Sequence, residues 1–181
     1  MTISLAEAKA HCVVEHNFDD AYLSGLIQAA TAATESYTRT IITKRPITRA
    51  FDNFRQMRLY APLRSVTSIT HVDDDGASQT VASGIYQVLG AWTAENQSKI
   101  AEIVLAYDQD WPDTREQREA VTVSYVAGYD QNEIPEDLRA ALLLMIGHLY
   151  ANREPIVIGT IVAQLSLSYE WLLAPFKNYN L

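Results

Sequence analysis

Residues 134–154, I-P-E-D-L-R-A-A-L-L-L-M-I-G-H-L-Y-A-N-R-E, constrain this chain more than any other stretch. Pro135 suits the first helical position, where a missing N–H costs nothing, and Glu136 and Asp137 put negative charge at the positive helix end. Pro155 stops the helix. Leu138, Ala141, Leu142, Met145 and Leu149 recur at helical spacing as one apolar stripe. Leu143, Leu144, Ile146 and Tyr150 carry the apolar character beyond it. A surface helix keeps one polar face, so this one calls for cover from more than one side, by its own chain or by a neighbouring subunit. Ala141 and Gly147 are small, and mark places where another backbone comes close and a large side chain overpacks.

The hydrophobic period changes on the N-terminal side of that helix. Ser4 and Glu7 have capping-box spacing ahead of a short helix with Leu5, Ala8 and Cys12 on its apolar face. A second helix follows a turn at His16–Asn17. Asp19 or Asp20 caps it, and Tyr22, Leu26, Ala29, Ala30, Ala33 and Tyr37 mark its buried side. The β-branched run at 40–43 and Pro46 end it. From Ile47 to Ala127 the pattern alternates. Thr67, Ile69 and His71 fall on one face of a strand, and D-D-D-G at 73–76 forms a hairpin turn. Strands follow at Val81, 85–89, 100–105 and 120–127, with Trp111-Pro112 packing over the sheet. After Pro155 comes an apolar run broken by Gly159, then a last helix at 168–174. The reading is an α+β fold: about four helices with a β-rich insertion between the second and third long ones. Its parts are 1–46, 47–127 and 128–181.

No apolar run reaches membrane-spanning length, and the N-terminus shows no basic region followed by an apolar stretch, so neither a span nor a secretory signal is expected. Cys12 is the only cysteine, which excludes an internal disulfide. The net charge of -8 opposes generic grip on a nucleic-acid backbone. That charge is uneven. Seven basic residues between Arg39 and Arg64 face Asp52 alone, whereas beyond Arg64 six basic residues meet sixteen acidic ones. Arg45, Arg49, Arg55, Arg58 and Arg64 therefore read either as a solvated sheet edge or as a docking patch for an acidic partner.

Catalytic readings fail on spacing. His11 and His16 lie five apart, off the spacing of a helical metal pair. Asp73–Asp75 lacks the glutamate an EF-hand needs at its twelfth position, which is Gly84. Asp108, Asp110 and Asp113 are an acidic loop cluster, and His148 sits on an apolar face with no partner motif. There is no G-x-S-x-G, P-loop or G-x-G-x-x-G, so no cofactor is expected.

Four blocks, in order, resemble the head–tail connector (adaptor, or head-completion) proteins of long-tailed bacteriophages, in the longer type with a β insertion. They are L-A-E-A-K-A-H at 5–11 with D-D-A-Y-L-S-G-L-I-Q-A-A-T at 19–31; P-L-R-S-V-T-S-I at 62–69; W-P-D-T-R at 111–115 with V-T-V-S-Y-V-A-G-Y at 121–129; and the 134–154 helix with L-L-A-P-F at 172–176. The resemblance implies a non-enzymatic virion protein at the head–tail interface, assembled in the bacterial host cytoplasm. It implies a ring, twelve-fold in the virion, beneath the portal protein. That ring extends the DNA channel without reading sequence and receives a stopper or tail-completion protein. With such a ring, the small residues Ala141 and Gly147 of the over-apolar helix become candidate subunit or portal contacts. Together with the apolar tail broken by Gly159 and Pro175, the resemblance makes Trp171, Leu172 and Phe176 anchors of a C-terminal docking arm, so that a chain lacking 168–181 still folds; the alternative is a last helix folded back on its own core, whose loss unfolds the chain. Two other classes stay open: a monomeric binding or chaperone-like module for tail assembly, and a metal-dependent hydrolase using the 108–113 aspartates.

Overall fold

The computed structural model describes residues 2–93, 96–98, 100–153 and 167–179. Its elements run α1 (Leu5–His11), α2 (Asp20–Thr38), β1 (Arg45–Phe51), β2 (Met57–Leu59), β3 (Leu63–Val72), β4 (Ser78–Thr80), β5 (Tyr86–Leu89), β6 (Ala101–Leu105), β7 (Val121–Ala127), α3 (Glu136–Ala151) and α4 (Leu167–Leu173). Among the described residues, four α-helices and two antiparallel sheets, with every strand between α2 and α3, make the expected α+β fold. The chain divides into two compact units: Met1–Thr43 with Tyr129–Lys177, and Lys44–Gly128 with Asn178–Leu181.

In the helical unit, α3 is the centre. It packs against α1, α2 and α4, so the cover its apolar circumference demands comes from its own chain. Leu138, Ala141, Leu142 and Ile146 are buried, and Leu144 is the exposed large side chain of that helix. Burying each such leucine or isoleucine contributes about 1.5–3 kcal/mol. Pro135 occupies the N-cap with extended ψ of 139°, one position earlier than the sequence reading placed it. Ser4 caps α1 by accepting the Glu7 N–H at 3.2 Å. Glu7 does not complete the box: its carboxylate takes Arg139 Nη1 from α3 at 2.9 Å instead.

Helix α2 turns inward a different side from the one its tyrosines and alanines mark. Its buried residues are Leu23, Ile27, Ala30, Thr31, Thr34 and Thr38, whereas Tyr22, Ala29, Ala33 and Tyr37 are exposed. The buried side is disguised by threonine. Thr31, Thr34 and Thr38 return their hydroxyl protons to the carbonyls of Ile27, Ala30 and Thr34 at 2.7–2.8 Å, so polar side chains lie inside without an unmet donor.

The β unit holds a four-stranded sheet ordered β1-β7-β3-β4 and a three-stranded sheet ordered β2-β6-β5. Every second residue of β7 is buried, placing Val121, Val123, Tyr125 and Ala127 inside. Ile69 and His71 are buried from β3, Met57 and Leu59 from β2, and Ala101 and Ile103 from β6. Strand β2 had no clear period in so short a run, and β1 starts two residues earlier than expected. The 73–76 hairpin forms as read, with Gly76 at φ +87°. Trp111 does lie over the sheet side: its ring stacks on Phe54 at 4.4 Å, and Phe54 in turn meets His71.

Candidate functional site

The C-terminal helix is half core, half surface. Leu173 is fully buried, and Tyr169, also buried, shares a hydrogen bond of 3.0 Å with Thr34 Oγ1 of α2. Thr40 Oγ1 donates to the Phe176 carbonyl at 2.9 Å. Burial pushes the Tyr169 phenol up from its usual pKa. These contacts favour a last helix folded onto its own core over an arm separable from the fold. Two adjacent turns cannot all face inward, however, and Trp171 stands 77 % exposed on the far side, with Leu172 and Phe176 half-buried beside it. Residues 156–166 of the apolar tail lie outside the described residues.

Ala141 is fully buried in the interior of the helical unit. Gly147 is half-buried, but its close neighbour is not a backbone. A Cβ there would lie 3.0 Å from Nε2 of the exposed His11 side chain, which can swing away. A larger side chain at Gly147 would meet a movable imidazole rather than a packed backbone.

The five arginines of the basic stretch do not form one uniform patch. Arg45 and Arg55 are exposed; Arg49, Arg58 and Arg64 are half-buried. Arg49 Nη1 donates to the Arg58 carbonyl at 2.8 Å, and its guanidinium lies 5.2 Å from the Phe51 and Tyr60 ring centres. Arg64 stacks 4.3 Å over Trp92. Such stacking orients a guanidinium. A shallow pocket of about 380 Å³ beside Arg55, lined by Phe51, Asp52, Asn53 and Gln56, marks the β1–β2 turn.

The acidic candidates serve turns. Asp73 accepts from Gln79 Nε2 at 2.9 Å and from the Ala77 N–H at 2.8 Å, and those bonds hold its pKa below the usual carboxylate value. Asp108 takes a left-handed φ of 57° in the loop it shares with Asp110 and Asp113. Among the described residues no group of three or more His, Cys, Asp or Glu is assembled for a metal.

One cluster has no counterpart in the sequence reading. Asp19 precedes α2, yet its carboxylate makes no helix cap. It accepts from Tyr150 Oη, in the last turn of α3, at 2.6 Å and from Arg153 Nη2, just beyond that helix, at 3.0 Å. Arg153 also lies 4.7 Å over Tyr22 and 5.0 Å over Tyr150. The Tyr150 hydrogen bond, then Arg153, lowers the Asp19 pKa. More than 130 residues separate these partners, so no local spacing announces them.

A family model described as Phage gp6-like head-tail connector protein matches residues 2–117. Among solved structures, a chain of the neck of an empty gene transfer agent particle, computed with C6 symmetry, is 21% identical with a TM-score of 0.75, covering 99% of this chain and 91% of that one. A chain of the native gene transfer agent virion is 20% identical with a TM-score of 0.73 over the same shares. A chain of the native particle's neck, computed with C12 symmetry, is 22% identical with a TM-score of 0.70, again over 99% and 91%. At these identities the likeness is one of fold. No curated protein matches the chain significantly.

Proposed function

The chain belongs to the phage gp6-like head-tail connector family, and from that premise we propose that it forms a ring beneath the portal and joins the capsid to the tail. The family match over residues 2–117 carries this reading. Its chemistry is consistent with the part. A conduit for DNA works when its wall repels phosphate, because a row of basic contacts would trap the strand; the net charge is -8. The protein acts as a structural virion component at the head–tail interface, with no catalytic step.

Two surfaces are assigned within this reading. Trp171, flanked by Leu172 and Phe176, is an aromatic anchor of the kind that dominates interface energetics, and it meets the portal or the neighbouring subunit. Arg45 and Arg55, with Arg49, Arg58 and Arg64 around them, receive an acidic partner. Negative-stain images of the purified protein with and without portal test the proposal. Rings, alone or on the portal, are the expected result; a chain that neither closes into rings nor binds portal overturns it. Trp171→Glu should abolish that assembly while leaving the melting temperature in place.

A further inference from the structure

Strand β1 is a sheet edge. Among the described residues it pairs on one side only, antiparallel to β7, along its whole length. Parity decides which of its main-chain groups face the open side. At the two ends of β7 the Ala120 carbonyl accepts from the Val72 N–H and the Gly128 N–H donates to the Pro62 carbonyl, so even-numbered residues there serve β3 and odd-numbered ones serve β1. Val121, Val123, Tyr125 and Ala127 therefore bond to their register partners Phe51, Arg49, Ile47 and Arg45. The N–H groups of Thr48 and Ala50, and the carbonyls of Pro46, Thr48 and Ala50, turn outward. Pro46 agrees, since proline in a sheet keeps its missing donor on the outer side of an edge strand. Side chains alternate between the faces. Arg45, Ile47, Arg49 and Phe51 share the face on which β7 is buried, whereas Pro46, Thr48 and Ala50 are exposed and uncharged on the other.

We propose that β1 accepts an extended acidic segment of another protein as an added strand, with a carboxylate at every second position. The outward N–H and carbonyl groups supply the main-chain bonds that strand addition uses. Charge selects the occupant. An added strand sets its residues opposite Arg45 and Arg49, and directly opposed pairs stabilise when their charges differ and destabilise when they are alike. A basic strand, or the same edge of a second copy, is rejected, which is how charged residues guard an edge. A carboxylate at each alternate place meets both guanidiniums. Arg49 is already held for it, with its guanidinium 5.2 Å from the Phe51 and Tyr60 ring centres and Nη1 donating to the Arg58 carbonyl at 2.8 Å. Less side-chain freedom is then lost on binding. Arg55, exposed in the turn after β1, carries the positive charge past the end of the strand. Asp52 in the same turn has its Oδ1 engaged by the Glu119 N–H at 2.9 Å. Strand addition rests on the docking reading of these arginines, and gives the partner a conformation and a sequence pattern.

A fluorescein-labelled peptide of alternating glutamate and valine, as long as β1, is titrated into the full chain and followed by fluorescence anisotropy. It should bind, and the same peptide with lysine for glutamate should bind at least about tenfold more weakly. N-methylating every amide of the glutamate peptide keeps its charge and removes its main-chain donors, and should also cost at least about tenfold. Thr48→Pro removes an outward donor without touching the β7 ladder, and Arg45→Glu reverses a cross-strand pair; each should weaken binding about tenfold. In the free chain, the Thr48 and Ala50 amides should exchange hydrogen faster than those of Ile47 and Arg49. Slow exchange at Thr48 and Ala50 shows an edge covered by its own chain and overturns the proposal. Rings that Thr48→Pro abolishes assign the edge to a second copy and overturn the acidic occupant. Binding that survives both N-methylation and Thr48→Pro overturns strand addition and leaves the docking reading standing, whereas binding indifferent to Arg45→Glu and to lysine overturns both. No binding of the glutamate peptide up to millimolar overturns the proposal; the docking reading then fails only if Arg45→Glu with Arg55→Glu leaves assembly on portal unchanged.

Discussion

Replacing Leu173 with alanine asks whether the last helix is core or appendage. Leu173 is fully buried, and Tyr169 one turn earlier is buried and hydrogen-bonded to Thr34. A Leu→Ala change at such a site loses transfer free energy and leaves a cavity, together costing about 2–5 kcal/mol. For a chain of this size each kcal/mol lowers the melting temperature by about 2–4 °C, so the helical unit should melt roughly 4–20 °C earlier. Trp171→Ala, two residues away and 77 % exposed, should change stability by no more than about 0.5 kcal/mol. Circular dichroism melts of both variants, checked by urea titration, give the comparison. Equal melting of Leu173→Ala and wild type, or a large loss from Trp171→Ala, would refute the assignment of which side of α4 faces in.

Gly90→Ala should destabilise the β unit by well over about 1 kcal/mol, because Gly90 has φ +71° and an added Cβ would lie 1.7 Å from the Ile100 carbonyl oxygen; denaturant titration checks it. Val13→Gly should stabilise by about 0.5–1 kcal/mol, since Val13 is a β-branched residue at φ 56° where α1 ends, 84 % exposed, in a position that favours glycine; an unchanged or lower melting temperature would remove the strain argument. Asp19 has a folded pKa below its unfolded value, so its contribution is present above about pH 4 and is lost as pH falls through the folded value. Asp19→Asn should accordingly melt lower than wild type at neutral pH and converge with it in acid, and parallel curves at both pH values would contradict the sign.

Local chemistry was legible in the linear chain wherever the deciding partners are close in sequence. The change of period after Pro46, the D-D-D-G hairpin with Gly76 at positive φ, the Ser4 cap and the alternation of β7 all depend on neighbours a few residues away. The apolar circumference of 134–154 correctly called for several covers, though not for their source. Only the tertiary structure decided that α1, α2 and α4 supply them. It also decided which side of α2 turns inward. Tyr22, Ala29, Ala33 and Tyr37 form the stripe that looks apolar, but the buried stripe wins because each threonine on it satisfies its own hydroxyl against the preceding turn. The same limit applies to Asp19, which reads as a helix cap until Tyr150 and Arg153 arrive from the other end of the chain. Periodicity reports how apolar a side is; which side is buried depends on hydrogen bonds and partners that only the folded chain brings together.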